Sequence, residues 1–227
     1  MGTLYLVRHG QASFGAADYD QLSDLGQRQC HALGQYFAAR SIKFDAVLVG
    51  TLRRHTQSLH ALAEGLGQPL PEALPWPGLN EYDGEALVRA VLQGPAPDAH
   101  SAEGYRQHFR LLREGMTQWI AGAVSPAGMP TYTAWAAGIT SALDHVRQHH
   151  GQQLDAKVLL VSSGGPISTM VGHVLGTPPQ TTIELNLRIR NSSLTELAFT
   201  PKRHMLLSYN HLPHLDDPQR ASWQTYS

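Results

Sequence analysis

The chain lacks the features of disulfide-stabilised and membrane-spanning proteins. Its 227 residues include one cysteine, Cys30, so no internal disulfide can form, which is typical of a reducing compartment. No stretch is long and apolar enough to span a bilayer, and the N-terminus shows no basic segment followed by a signal-like apolar region. These absences predict a cytoplasmic protein that has no membrane partner.

Charge is also scarce, and its two signs are balanced. Charged residues make up 15% of the chain, with 17 Lys and Arg against 18 Asp and Glu, and they form no basic arm or stripe. A nucleic-acid partner therefore has no electrostatic support. The hydrophobic fraction of 42% is that of an ordinary globular protein, and a chain of this length can bury a substantial core as one domain.

Short apolar runs alternate with amphipathic helical patterns along most of the chain. The runs at residues 4–7, 46–49, 158–161 and 194–199 predict strands. A fifth run, at 205–209, follows a turn and is expected to pair with the fourth as a hairpin.

Helices are predicted between these strands from capping residues and from the spacing of apolar residues. Ser23 is expected to cap the first helix and Thr51 the second. Apolar residues three and four apart mark helices over 105–119 and 135–146. A shorter helix should begin near Pro166, because proline is tolerated in a first helical turn.

Strand followed by helix, repeated along the chain, predicts a three-layer α/β/α fold with a mostly parallel central sheet. Residues 84–130 interrupt this rhythm with a Gly- and Pro-containing stretch, a helical pattern and a Gly/Pro-rich exit. We interpret them as a helical insertion over the sheet, within a single domain that spans residues 1–227.

The most informative stretch is Arg8-His9-Gly10, directly after the first predicted strand. Ligands of open α/β sheets bind at the carboxyl ends of the strands. Arg8 is permanently charged and suits a phosphate, while His9 can act as a nucleophile near neutral pH. Gly10 lets the backbone turn close to a ligand.

Further segments follow the tripeptide in a recognisable order. They are Leu-Ser-Asp-Leu-Gly-Gln at 22–27, Val-Leu-Val-Gly-Thr-Leu-Arg-Arg-His-Thr at 47–56, Leu-Asn-Glu at 79–81 and Val-Leu-Leu-Val-Ser-Ser-Gly-Gly at 158–165. With these segments the chain resembles the histidine phosphatase superfamily, which includes the cofactor-dependent phosphoglycerate mutases. The resemblance extends over nearly the whole chain and is weakest in the expected insertion.

The resemblance implies a role for four residues. His9 matches the histidine that attacks phosphorus and becomes phosphorylated, and Glu81 matches the acid that protonates the leaving alkoxide. Arg8 and Arg54 match the two arginines that hold the phosphoryl oxygens, with Arg53 facing outward. Phosphoryl transfer depends mainly on positioning and charge compensation, so two guanidiniums suit it and neither a metal nor a cofactor is required.

The chain departs from the superfamily pattern at Ser163, where members that act on phosphates usually carry a second histidine. A serine can donate a hydrogen bond to the transferring group but brings no positive charge. The turn through Ser163 and Gly164 still offers backbone N–H groups to a phosphate. His211 and His214 are candidates for a relocated cation.

A second departure concerns the substrate. Ala12 and Gly15 stand where the mutases carry Ser and Asn, which argues against a phosphoglycerate mutase.

His145 and His149 are one helical turn apart, a spacing that could hold zinc. No third ligand is suggested, and we interpret the two residues as a solvated helix end.

These observations predict a phosphomonoester phosphatase that acts on a small phosphorylated substrate through a phosphohistidine on His9, slowed by Ser163. A catalytically silent member that only binds phosphate, or a phosphorylated ligand, is the first alternative. The second is a serine hydrolase that uses Ser163. Its usual turn has glycine two residues before the serine, where Val161 stands here.

Overall fold

The computed structural model describes residues 1–13, 20–98 and 101–226. In chain order the elements are β1 (Gly2–Arg8), α1 (Asp24–Ala39), β2 (Ala46–Val49), α2 (Arg53–Leu66), β3 (Ala73–Pro75), α3 (Gly84–Val91), α4 (Ala102–Ile120), α5 (Tyr132–His150), β4 (Lys157–Ser162), α6 (Gly164–Leu175), α7 (Pro179–Arg188), β5 (Leu194–Phe199) and β6 (His204–His211). Short 3₁₀ helices lie at Pro77–Leu79 and Pro218–Trp223.

The six strands form one sheet in the order β3-β2-β4-β1-β5-β6. The first four in this order are parallel, whereas β5 runs antiparallel to β1 and β6 antiparallel to β5. The predicted hairpin of the last two strands is therefore confirmed. The mostly parallel sheet and its helices confirm the predicted α/β fold class.

Alternating residues of the central strands bury opposite faces of the sheet. Leu4 and Leu6 of β1 belong to an apolar cluster with residues of α5 and α6, while Tyr5 and Val7 belong to a second cluster with residues of α1 and α2. A strand buried on both faces reads as a continuous apolar run. This explains why short apolar runs marked these strands in the sequence.

The start of α1 was predicted correctly and the start of α2 was not. The Ser23 hydroxyl accepts a hydrogen bond from the amide of Gly26, as a helix N-cap does. At α2 the N-cap residue is Leu52 and no cap side chain takes part. The Thr51 hydroxyl instead accepts from the Asn80 side chain at 2.6 Å. A carboxylate oxygen of Asp20 accepts from the amide of Arg53 at 2.8 Å.

Three elements had no counterpart in the sequence interpretation, and one of them, α3, has only eight residues. The strand β3 has only three residues and ends in Pro75, and α7 begins at a Pro-Pro pair with mostly polar residues after it. These elements are too short or too polar to show an apolar period.

Cys30 is fully buried in α1, where burial raises the pKa of its thiol to about 11.

Helices α3, α4 and α7 build a third apolar cluster, separate from the two that cover the sheet. Its buried residues are Leu87, Val88, Leu112, Met116, Trp119 and Ile183. The segment 84–130 thus supplies α3 and α4, and its status as an insertion within one domain stays a prediction. In the part of the chain that the structure describes, no helix has the length and apolar character needed to cross a membrane.

Helices α1 and α2 approach each other closely enough to need glycine at the crossing. A Cβ atom on Gly34 would lie 2.1 Å from the carbonyl oxygen of Leu62. Because that neighbour is backbone in a buried helix, it cannot move aside cheaply. We expect Gly34→Ala to lower the free energy of unfolding by about 1–3 kcal/mol in urea titration, despite the higher helix propensity of alanine.

Gly84 provides the matched control, because a Cβ atom there would meet nothing closer than 3.6 Å. Gly84→Ala should leave the stability unchanged or raise it slightly. Equal effects of the two substitutions would show that the crossing of α1 and α2 is not as tight as described.

Candidate active site

The carboxyl ends of β1 and β4 lie side by side and bring two predicted site segments together. Arg8 pairs with Ser162 in the parallel register, and the amide of His9 donates to the carbonyl of Ser162 at 2.8 Å. The hydroxyl of Ser162 donates to the carbonyl of Leu79 at 2.6 Å, which ties β4 to the segment that carries Glu81. Three parts of the chain therefore meet at one edge of the sheet.

His9 is buried and held in a single orientation. Its Nδ1 atom lies 2.7 Å from the carbonyl oxygen of Gly10, which can only accept, so Nδ1 is the protonated nitrogen. The lone pair of the neutral ring is then on Nε2. Burial, followed by the charges of Arg8 and Arg54, holds the pKa of His9 well below its usual range. The imidazole is therefore neutral at neutral pH.

The loop after β1 is fixed by hydrogen bonds to the neighbouring helices. The hydroxyl of Ser58 accepts from the amide of Gly10 at 3.1 Å and donates to the carbonyl of Arg54 at 2.7 Å. A Cβ atom on Gly10 would lie 2.3 Å from the carbonyl oxygen of Gly26. This close approach accounts for a glycine at position 10.

The two arginines of the pair at 53–54 point in different directions, as expected. Arg54 is buried and Arg53 is exposed. The Arg54 guanidinium donates to a carboxylate oxygen of Asp20 at 2.8 Å. Arg8 donates from its own guanidinium to the carbonyl of Ile189 at 2.6 Å. Both cations are thus oriented by other groups before any anion arrives.

The Glu81 side chain lies beside the first turn of α6. Its Oε2 atom accepts from the amide of Gly165 at 3.0 Å. Burial raises the pKa of Glu81, and the Gly165 hydrogen bond and the charges of Arg54 and Arg8 oppose that rise. The carboxyl group is therefore within electrostatic reach of both predicted phosphate-binding arginines.

Gly164 and Gly165 leave room for this arrangement. A Cβ atom on Gly165 would lie 2.1 Å from Oε1 of Glu81, and one on Gly164 would lie 3.6 Å from Nε of Arg8. The start of α6 thus approaches an acid and a guanidinium through bare backbone. A helix N-terminus beside a guanidinium is suited to an anion.

The structure adds one residue that sequence reasoning missed, His55. Its Nε2 atom lies 2.6 Å from the hydroxyl oxygen of Ser163, and its ring centroid is 5.8 Å from that of His9. Both His55 and Ser163 are fully buried. The one available signal was a histidine directly after Arg54 in a chain that has serine at position 163.

His214, a candidate for the relocated cation, does not supply positive charge. It is buried, its Nε2 atom lies 2.9 Å from the hydroxyl of Ser192, and burial lowers its pKa to about 3. The ring is therefore neutral near neutral pH. His211 ends β6 and is exposed. Gly15, one of the two positions that argued against a mutase, lies outside the described residues.

The pair His145 and His149 is explained by local contacts. The two rings are stacked with centroids 4.0 Å apart, and Nδ1 of His149 donates to the carbonyl of His145 at 2.9 Å. Within the described ranges, no group of three or more His, Cys, Asp or Glu side chains could hold a metal ion.

The chain matches the family model of the histidine phosphatase superfamily (branch 1) over residues 4–212. A mitochondrial serine/threonine-protein phosphatase of Caenorhabditis briggsae is 25% identical over 223 residues, which are 97% of this chain and 66% of that protein. A 2,3-bisphosphoglycerate-dependent phosphoglycerate mutase of Rhizobium etli is 36% identical over 89 residues, 36% of this chain and 42% of that protein. The chain thus spans less than two thirds of either relative's length.

Solved structures of phosphatases share the fold. Phosphoserine phosphatase of Entamoeba histolytica, in complex with 3-phosphoglyceric acid, has a TM-score of 0.65 at 19% identity, covering 95% of this chain and 100% of that chain. A mycobacterial glucosyl-3-phosphoglycerate phosphatase has a TM-score of 0.65 at 23% identity, covering 92% and 99%. With the family match over residues 4–212, these likenesses lead to one conclusion: the chain belongs to the histidine phosphatase superfamily, branch 1.

Proposed function

We propose that the protein is a phosphomonoester phosphatase that works through a phosphohistidine on His9. The observation that carries the proposal is the state of that ring. Its Nδ1 atom is committed to the carbonyl of Gly10, and its pKa is held well below the usual range. The nucleophilic nitrogen, Nε2, therefore stays unprotonated beside two cations that attract a phosphate.

The reaction divides into two displacements at phosphorus. In the first, Nε2 of His9 attacks, an N–P bond forms, the ester P–O bond breaks, and Glu81 gives its proton to the leaving alkoxide. In the second, Glu81 takes a proton from water as the water oxygen attacks phosphorus and the N–P bond breaks. Inorganic phosphate leaves and both residues return to their starting states.

Arg8 and Arg54 are proposed to bind the phosphoryl oxygens in both steps. Their guanidiniums are oriented by Ile189 and Asp20, and both charges act on His9 and Glu81. Prepositioned cations stabilise the charge of the transition state without reorganising during the reaction. Gly164 and the Ser163 hydroxyl complete the proposed phosphate site.

We propose a small phosphorylated molecule as the substrate. The structural neighbours include a phosphoserine phosphatase in complex with phosphoserine and a glucosyl-3-phosphoglycerate phosphatase. Ser163, in the place of the superfamily's second histidine, brings no charge. By analogy with the loss of an oxyanion-hole donor, this slows turnover about a hundred- to a thousand-fold. A silent phosphate-binding protein, supported by the same serine, is the first alternative, and a serine hydrolase that uses Ser163 is the second.

Removal of the nucleophile is the first test. Assayed across a broad panel of phosphomonoesters, His9→Ala should lower kcat by about a thousand-fold or more relative to the wild type purified in parallel. Rapid quenching of the wild type with labelled substrate should trap an acid-labile, alkali-stable phosphoenzyme that His9→Ala lacks. Phosphate binding without turnover in the wild type would favour the silent alternative.

The second test uses two neighbouring arginines. Arg54→Ala should lower kcat/KM by about a hundredfold and weaken inhibition by inorganic phosphate, because a buried cation is removed from the phosphate site. Arg53→Ala, the exposed neighbour, should change both by less than about twofold. Similar losses in the two variants, with unfolding free energies matched, would contradict the assignment of Arg54.

The third test separates Glu81 from the other residues through the leaving group. Glu81→Gln should slow hydrolysis of alkyl phosphates by about a hundredfold, and that of p-nitrophenyl phosphate far less, because p-nitrophenolate leaves without a proton. Since the protonated acid is the active form and its pKa is raised, activity on alkyl phosphates should fall as pH rises through that pKa. This fall should vanish in Glu81→Gln. The exposed Glu85 gives the control Glu85→Gln, and equal sensitivity of both leaving groups would contradict the role.

A further inference from the structure

The contact between His55 and Ser163 has no part in the reaction scheme above, although it lies beside the nucleophile. Nε2 of His55 and the hydroxyl oxygen of Ser163 are 2.6 Å apart. Ser163 directly follows the residue whose carbonyl accepts from the amide of His9, and the rings of His9 and His55 are 5.8 Å apart. The three side chains therefore form one continuous buried group at the end of β4.

The hydroxyl of Ser163 is not used in the usual way of a helix-capping serine. Ser163 is the N-cap residue of α6 and makes no side-chain cap hydrogen bond. The hydroxyls of Ser23, Ser101 and Thr131 all cap their helices. The Ser163 hydroxyl instead contacts an imidazole from α2, so its direction is set by tertiary structure and not by its own helix.

The His55 ring is held firmly in this position. A Cβ atom on Gly50 would lie 2.1 Å from its Nδ1 atom, so glycine makes room for the ring. The loop at that point is also held by Asn80, whose Oδ1 accepts from the amide of Thr51 at 2.7 Å. An imidazole this confined can hold a partner hydroxyl in one direction.

Burial and then the charge of Arg54 lower the pKa of His55 to about 3, against a hydrogen bond with the Gly50 backbone that raises it, so the ring is neutral near neutral pH. A neutral ring has one N–H group, on Nδ1 or on Nε2, and the contact with Ser163 fits either tautomer. If Ser163 donated to Nε2, its oxygen lone pairs would be left facing the anion. With Nε2–H donating to the Ser163 oxygen, the serine proton is free to meet a phosphoryl oxygen.

We propose that His55 is a positioning residue for Ser163, and that the two act as one hydrogen-bond relay toward the transferring phosphoryl group. Nε2–H of His55 donates to the Ser163 hydroxyl oxygen, and the Ser163 O–H donates to a phosphoryl oxygen. The inference rests on the proposed function, because it assigns a role in the same phosphate site.

A double-mutant cycle tests the relay. Ser163→Ala should lower kcat by about a hundredfold and His55→Leu by about tenfold. Because His55 acts through Ser163, His55→Leu should cause no further loss in the Ser163→Ala background. His55→Gln, whose amide can donate from a position near Nε2, should recover most of what His55→Leu loses. His60, exposed on the same helix, provides the control His60→Leu, which should match the wild type.

The outcomes separate this inference from the proposed function. The relay is overturned if the losses multiply in the double variant, or if His55→Leu has the kcat of the wild type. In either case, turnover that depends on His9 would still support the proposed phosphatase. Labelling of Ser163 by a fluorophosphonate probe, abolished in His55→Leu, would also overturn it by making Ser163 a nucleophile.

If the wild type shows no turnover, the proposed function fails and the relay is tested by binding. Titration calorimetry with inorganic phosphate should then show a weaker Kd for Ser163→Ala and for His55→Leu, with no further weakening in the double variant. Unchanged affinity in both single variants would overturn the relay.

Discussion

The parallel pairing of β1 with β4 is the constraint on which the candidate site depends. Its last link is the hydrogen bond from the amide of His9 to the carbonyl of Ser162, which places Arg8, His9 and Ser163 at one sheet edge. The hydroxyl of Ser162 then binds the carbonyl of Leu79, two residues before Glu81. A shift of one residue in this register would turn each side chain of β1 to the opposite face, because strand side chains alternate.

One electrostatic cause has two consequences in this site. Arg8 and Arg54 are held by an acceptor carbonyl and by Asp20 beside buried imidazoles. Their positive charges favour an anionic ligand, and the same charges, added to burial, make a protonated His9 unfavourable. The two cations proposed to bind phosphate therefore also keep the proposed nucleophile unprotonated. Glu81 is affected in the opposite direction, since the cations favour its ionised form while burial opposes it.

Elements and residues that depend on local pattern were predictable. The apolar runs of β1, β2, β4 and β5 and the Ser23 cap follow from neighbouring residues, whereas the inward direction of Arg54 follows from the family resemblance. The predicted Thr51 cap was wrong because Asp20, more than thirty residues earlier in the chain, accepts the hydrogen bond from the backbone N–H at the start of α2. β3, α3 and α7 were missed because each is too short or too polar to show a period.

The sequence by itself determined the α/β class and the identity of the segments that carry His9, Arg54, Glu81 and Ser163, because each segment keeps its own short-range pattern. Only the tertiary structure decided how they complete one another. His55 and Ser163 are separated by 108 positions, and no local rule links a histidine in one helix to a serine at the start of another. Their contact arises because β2 and β4 are hydrogen-bonded neighbours, so the helices that follow them begin side by side.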